Sequence, residues 1–363
     1  MTHVRGRILL MGLLACAALA SPVEAQEGPR GPVLKVNAAE IEIGGRVQTQ
    51  FNTTSVDEQQ PSQFLLRRVR LEAKVKVNDV VSGKVQPDFA GDRVSVKDAY
   101  LRLTFDPALE VLAGKAHRPF STVEMTSSTR ILPVERGVTI RGLPDALDEY
   151  ELIHTLGYSD RDIGVQLMGK PAGAPLGMSY AAGVFAGPLN GRVGPQDSYQ
   201  YAARLGLQPD PRLKLGAAWS SRDFGRPSTE PGADSVLKRG NAFEVDAEWG
   251  SYAPGFHFVG ELAAGDFDPF TGDDFTGAQG WLAYRTRTLG KKVSNLEPIL
   301  RASYGAVHSR DPDRDDLGGT LLTPGLNVYF SPLNRVMLNY DVWKPRDGGD
   351  TETSFKAQFQ VAF

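Results

Sequence analysis

The sequence has one cysteine, Cys16, and its 40 basic side chains nearly balance 43 acidic ones. Scarce cysteine excludes a disulfide framework and a zinc site built on thiolates. The five histidines, at 3, 117, 154, 257 and 308, show no metal-ligand spacing. A near-neutral balance leaves no basic excess with which to hold nucleic acid. Long apolar runs are also missing, save one near the N-terminus. What is present is ordinary in amount: 41% apolar and 23% charged residues over 363 positions, which excludes a disordered or collagen-like chain. That length admits two or three soluble domains or a single all-β barrel.

Residues 1–25 read as an export signal. Arg5 and Arg7 supply positive charge, Ile8 to Ala20 form the apolar core, and Val23-Glu24-Ala25 offers a cleavage site before Gln26. The core is too short for a membrane helix, and no second one follows. Cys16 lies within this leader, so the exported chain must hold together by backbone pairing and packing alone.

Period two dominates the remainder. Ile41, Ile43, Gly45, Val47, Thr49 and Phe51 alternate with polar residues, and so do Val69, Leu71, Ala73, Val75 and Val77. The last residues repeat the pattern, with Phe355, Ala357, Phe359, Val361 and Phe363 set against Lys356, Gln358 and Gln360. Such alternation marks strands with one apolar and one polar face. About sixteen segments of this kind occur, each near the roughly ten residues of a barrel strand. Their cores are 40–52, 64–77, 80–90, 94–105, 109–117, 161–170, 176–186 and 199–208. The series continues with 212–220, 241–249, 255–265, 276–286, 295–305, 320–330, 335–343 and 353–363. Connections alternate between short turns, such as Asn78-Asp79 and Pro209-Asp210-Pro211, and longer polar loops, such as 53–63 and 221–240.

A soluble sandwich turns its apolar faces inward; a membrane barrel turns them to lipid and its polar faces to a wet lumen. Period alone does not choose. The export signal, the aromatics near strand ends (Phe51, Tyr284, Tyr304, Phe330, Tyr340) and the alternating strand closed by Phe363 favour the barrel. The expected fold is an all-β transmembrane antiparallel barrel of about sixteen strands over residues 40–363, preceded by a short segment at 26–39. Lipid cannot satisfy an open edge, so the sheet must close.

A series of motifs runs through this pattern: Phe64-Leu65-Leu66-Arg67-Arg68-Val69-Arg70-Leu71-Glu72, Asp88-Phe89-Ala90, Val96-Lys97-Asp98-Ala99-Tyr100-Leu101, Gly114 and Arg118-Pro119-Phe120. Glu124-Met125-Thr126-Ser127-Ser128, Glu135-Arg136, Asp162-Ile163-Gly164-Val165, Tyr180-Ala181-Ala182-Gly183-Val184-Phe185 and Gly325-Leu326-Asn327 follow. In order and spacing these resemble the phosphate-selective porin O and P family of Gram-negative outer membranes, over about residues 40 to 363. The resemblance implies a sixteen-stranded, trimeric pore in outer-membrane lipid, with a long third loop folded into the lumen and a preference for anions. The family's basic position after the fifth strand is occupied here by His117.

If odd residues of the 64–77 strand face lipid, Arg68, Arg70, Lys74 and Lys76 form a cationic ladder in the lumen, joined by Lys84 and Arg102. Fixed cations in a narrow aqueous path admit anions and repel cations. The other reading is a solvated face neutralised by Glu72, Asp88 and Asp98. Residues 118–160 form the longest connection; Arg118, Arg130, Arg136 and Arg141 would set selectivity there if it folds inward. Glu244, Asp246, Glu248, Glu261, Glu297 and Arg301 make the opposite wall mixed in sign.

Other motifs carry less. Gly164-Val165-Gln166-Leu167-Met168-Gly169-Lys170 starts like a phosphate-binding loop, but Pro171 stands where Ser or Thr is needed and no helix follows. Asp311, Asp313, Asp315 and Asp316 lack the glycine and closing glutamate of a calcium loop. No serine elbow is present. The expectation is therefore a non-enzymatic, cofactor-free and metal-free homotrimeric pore for small anions such as phosphate. The alternatives are a weakly selective general diffusion pore and an exported β-rich binding or structural protein.

Overall fold

The computed structural model describes residues 33–36, 39–56, 62–91, 93–139, 142–187, 198–226, 236–314 and 317–363. The expected leader, most of the 26–39 segment, Arg141, Asp315 and Asp316 lie outside the described residues.

Strands β1 (Val33–Val36), β2 (Ala39–Thr54), β3 (Ser62–Lys76), β4 (Val81–Asp88), β5 (Ser95–Asp106) and β6 (Leu109–His117) come first. Two short helices follow, α1 (Thr122–Met125) and α2 (Glu149–Thr155). Then come β7 (Arg161–Gly169), β8 (Ser179–Phe185), β9 (Gln200–Asp210), β10 (Leu213–Arg226), β11 (Val236–Gly250) and β12 (Gly255–Asp268). The chain ends with β13 (Asp273–Arg285), β14 (Asn295–His308), β15 (Gly318–Tyr329), β16 (Arg335–Pro345) and β17 (Glu352–Ala362).

From β2 onward each strand pairs antiparallel with the next, and β17 pairs back to β2 through Gln358↔Gln50 and its neighbours. The result is a closed sixteen-stranded barrel with no open edge. Every expected strand core falls on one of these strands. The additional β1 pairs with the first residues of β2, below the start of the β2–β17 register at Arg46↔Ala362. At four residues it is too short for periodicity to reveal.

Side-chain direction follows the alternation. Leu71 is 48% exposed on the outer surface, whereas Arg68 and Arg70 are 3% and 8% exposed inside. Val165, Phe243, Leu262, Leu282, Leu322 and Phe359 continue the outer apolar band. Phe105, Trp249, Phe256, Tyr284 and Phe330 mark its turn-side edge, as expected where a barrel meets the membrane interface. At the β17–β2 seam, Phe363 exchanges backbone hydrogen bonds with Gly45. Its ring covers the space that a Cβ on Gly45 would need.

Two of the register shifts insert a basic residue into a strand. The β2–β3 register shifts between Gln48↔Arg68 and Thr49↔Leu66, inserting Arg67. The β4–β5 register shifts between Gln86↔Asp98 and Pro87↔Val96, inserting Lys97. A bulge lets two consecutive side chains lean to one face. Arg67 and Arg68 accordingly both reach Glu135 on the inside.

Candidate functional site

Residues 118–139 and 142–160 lie within the barrel, against the inner faces of the strands that follow them. Apolar inward side chains receive them. Phe120, Leu152, Ile153 and Tyr158 pack with Ala242, Ala263, Phe275 and Val307. Val123, Ile131, Leu132 and Tyr150 meet Val259, Trp281, Ala283 and Ile299, while Val138, Leu143 and Ala146 meet Leu321 and Trp343. Inward glycines permit the approach: a Cβ on Gly277 would strike Glu149, and one on Gly305 would strike the Leu147 carbonyl. The β12–β16 wall is therefore not the uniformly polar lumen face that alternation alone suggests. Its apolar residues are buried by protein instead of water.

Polar contacts complete the docking. Arg301, 1% exposed, donates to the carbonyls of Glu135 (3.1 Å) and Arg136 (2.7 Å) and to Asp341 (2.9 Å). Arg335 donates to the Ile131 carbonyl at 2.7 Å, and Asn327 to that of Leu132 at 3.0 Å. Ser121 and Asp148 cap the two helices through the Glu124 and Glu151 amides. Glu261 on β12 accepts from Ser121 Oγ at 2.8 Å and from the Val123 amide at 3.0 Å. The Ser-x-x-Glu and Asp-x-x-Glu spacings are helix-start signals that strand periodicity overshadows.

The β2–β7 side carries the charge. Arg68 lies 2.9 Å from Glu135, and Arg70 2.7 Å from Asp88. Lys74 sits between Glu42 (2.9 Å) and Glu72 (3.3 Å); Lys84 sits between Glu72 (2.8 Å) and Asp98 (3.0 Å). Arg102 reaches Glu110 at 3.4 Å and lies over the Tyr100 ring. Lys76 is exposed and pairs with Asp79 in the neighbouring turn, at the mouth of the barrel and away from the ladder's middle. A cavity of about 430 Å³ runs along Lys74, Lys76, Lys84 and Arg102.

Three carboxylates here, Glu72, Asp98 and Glu135, each serve more than one cation. Glu72 is also 3.7 Å from Arg46, and Asp98 is also 2.7 Å from Arg161. Arg67 and Lys97 add to the set: Lys97 lies in the field of Arg70, Asp88, Asp160 and Arg161. Both are odd-numbered, and beyond the bulges the odd positions, such as Leu71 and Leu101, face lipid, so alternation counted back from those residues places Arg67 and Lys97 on the wrong side. A charge at a lipid-facing position costs roughly 2–4 kcal/mol at mid-membrane, and that is the one hint in the sequence that these two turn inward.

Among the arginines of residues 118–160, two hold the segment's own backbone. Arg118 donates to the carbonyls of Gly157 (2.7 Å) and Ser159, and Arg136 to those of Val123 (2.8 Å) and Thr126. Arg130 is exposed, 5.6 Å from the centre of the Tyr252 ring. Burial disfavours ionisation of Glu124 and Glu135, but Arg136 beside the first and Arg67 and Arg68 beside the second outweigh it, holding both carboxyls down at about 2. Asp148 moves the other way, up to about 6, through burial and the charge of Glu151.

The carboxylates of the mixed wall are largely paired but outnumber their cations. Arg204 pairs with Glu244 (2.9 Å) and Asp246, Lys214 with Glu248 (2.8 Å), and Arg285 with Glu297 (2.8 Å). Among the described residues no group of three potential ligands could hold a metal ion.

Residues 41–273 match the family described as phosphate-selective porin O and P. The chain belongs to that family. It is an outer-membrane porin of a Gram-negative bacterium, a channel and not an enzyme. No curated protein sequence matches the chain. Solved porins share the fold. A loop-deletion form of OmpT from Vibrio cholerae is 14% identical, with TM-score 0.62 over 90% of this chain and all of that one. OmpF of Salmonella typhi in complex with daunomycin is 12% identical, with TM-score 0.61 over 91% of this chain and 100% of that one. An anion-selective porin from Comamonas acidovorans is 13% identical, with TM-score 0.61 over 90% and 100%.

Proposed function

We propose that the porin admits small anions, phosphate among them, by passive diffusion along the β2–β7 wall. The observation that carries this reading is the sharing of carboxylates. Glu72 serves Arg46, Lys74 and Lys84, and Glu135 serves Arg67 and Arg68, so cations exceed their counterions along that face. An excess of fixed positive charge beside an aqueous cavity raises the local anion concentration, and weak, multiple sites let the ions leave. The family description and the anion-selective Comamonas porin support this reading. One OmpT structure is described as a trimer form, and a homotrimer is the assembly we assign here. Residues 118–160, including Arg130, would narrow the path from the opposite side.

A weakly selective general pore is the second reading, favoured because the named ladder cations each have a carboxylate nearby. Reversal potential across a planar bilayer under a KCl gradient separates the two. The first reading expects chloride to permeate in preference to potassium, with phosphate also carrying current. Cation preference rejects it, and a ratio near one supports the second.

A further inference from the structure

Three described residues other than glycine hold a left-handed φ: Ser121 (64°), Asp160 (87°) and Leu176 (54°). Of these only Ser121 is buried, at 0% exposure. With ψ at 115° it also lies outside the small αL region that other residues tolerate. Strain of this kind persists only where the surroundings fix the backbone on both sides. They do so here. Upstream, Arg118 is tied to the Gly157 and Ser159 carbonyls, and Phe120 is packed with Leu152 and Tyr158. Downstream, Val123 is packed with Val259 and Trp281. Glycine would adopt this backbone without strain, so a serine here marks a use for its hydroxyl. The hydroxyl accepts from the Glu124 amide at 3.1 Å and donates to Glu261 at 2.8 Å. A cap on the four-residue α1 contributes little by itself. The bond to Glu261, which also accepts from the Val123 amide at 3.0 Å, ties the strained turn to β12.

We propose that Ser121 and Glu261 form a spring-loaded latch on the constricting segment. Their buried hydrogen bond holds the limb 118–126 folded on β12 against the strain in its own turn. With the bond made, α1 carries Glu124 to the β6–β7 side, 3.3 Å from His117 and 3.9 Å from Arg161. With the bond broken, the turn relaxes, the limb leaves β12, and Glu124 leaves those two side chains. The pore then has two conductance levels, and the larger one has lost a carboxylate beside a fixed cation. Glu261 is a positioning residue, acting through the limb it holds. The latch rests on the reading that residues 118–160 narrow the path, and not on the pore's ion preference.

Single-channel recordings of the full chain in planar bilayers read the latch directly. The unaltered protein is expected to dwell at the smaller level, with rare excursions to the larger. Ser121→Ala keeps the strain and loses the bond, so time at the larger level should rise about tenfold. Ser121→Gly loses both, so its rise should be smaller; it also guards against an alanine variant that fails to fold. Glu261→Gln, which retains one acceptor, should fall between the unaltered protein and Glu261→Ala. Ser121→Ala combined with Glu261→Ala should open no more than the more open single variant. That non-additivity isolates the bond from the other neighbours of Glu261, Glu149 among them. At the larger level the reversal potential should move toward anions as Glu124 leaves Arg161. Ser121→Gly opening as often as Ser121→Ala, additive effects in the pair, or a larger level shifted toward cations would overturn the latch. So would unchanged dwell times in these variants beside altered conductance in Arg301→Leu. Unchanged records in all of them, Arg301→Leu included, would overturn both the latch and the narrowing role of the segment.

Discussion

Two walls of one barrel, built by the same alternation, face its interior differently. On β2–β7 the inward row is Arg46, Arg70, Lys74, Lys84 and Arg102, with carboxylates shared among the cations, beside an open cavity. On β12–β16 it is Val259, Trp281, Ile299, Leu321 and Trp343, closed over by residues 118–160. The contrast shows that strand alternation fixes which way a side chain points and not what it meets there. The long connection turns half of the lumen into a packed core, and the conducting path is left to the other half.

Disturbing the packed wall should have the largest effect. Arg301→Leu leaves Asp341 without its 2.9 Å partner and frees the Glu135 and Arg136 carbonyls. A loss of about 1–3 kcal/mol is expected in urea unfolding, as for buried carbonyls left unpaired while Lys356 still neutralises Asp341, together with higher and noisier single-channel conductance as the segment undocks. Unchanged conductance would mean that Arg301 does not hold the segment.

Changing the charged wall should alter selectivity and spare stability. Glu72→Gln releases Arg46, Lys74 and Lys84 from their shared counterion. Reversal potentials should show the anion-to-cation permeability ratio rising a few-fold. The opposite change, Arg70→Glu with Lys74→Glu, should lower it; no change in either variant would place the ion path elsewhere.

A smaller effect concerns pH. Burial first, then the charges of Glu261 and Asp148, push the Glu149 carboxyl well above its usual range, and Asp148 rises to about 6. Gln279, Ser303 and Arg301 also face this pair, and Glu151 lies on the same helix. Groups that hold their protons more tightly when docked favour docking at acid pH, and that contribution is lost as pH rises past the ordinary carboxylate range and through about 6. Conductance noise should therefore grow between pH 5 and 8, and Glu149→Gln should flatten the rise. Glu124 and Glu135, held at about 2, add nothing over that interval. Smallest of all is Lys76→Ala at the exposed Lys76–Asp79 pair, where no measurable shift in the unfolding midpoint is expected.

Much of this was legible beforehand. Period-two runs located all sixteen barrel strands, and the same parity gave the inward direction of Arg68, Arg70, Lys84 and Arg102. Three things escaped for physical reasons. The bulges at Arg67 and Lys97 break parity by one residue, which composition does not register. Inward-facing Trp281 and Trp343 look like lipid anchors until their partners on residues 118–160 are known. Arg118 and Arg136 satisfy carbonyls of their own segment, contacts that depend on how that segment folds back.

Thiol accessibility tests the two-wall account most directly. The sequence has a single cysteine, Cys16, inside the expected leader, so introduced thiols would stand alone. With Lys74→Cys and Arg102→Cys on the charged wall, and Ser303→Cys and Thr323→Cys on the packed wall, a small membrane-impermeant thiol reagent is added to open channels in a bilayer. The account predicts rapid reaction and a stepwise fall in current for the first pair, and no reaction for the second until the barrel is unfolded. Fast modification at 303 and 323 with silence at 74 and 102 would contradict it.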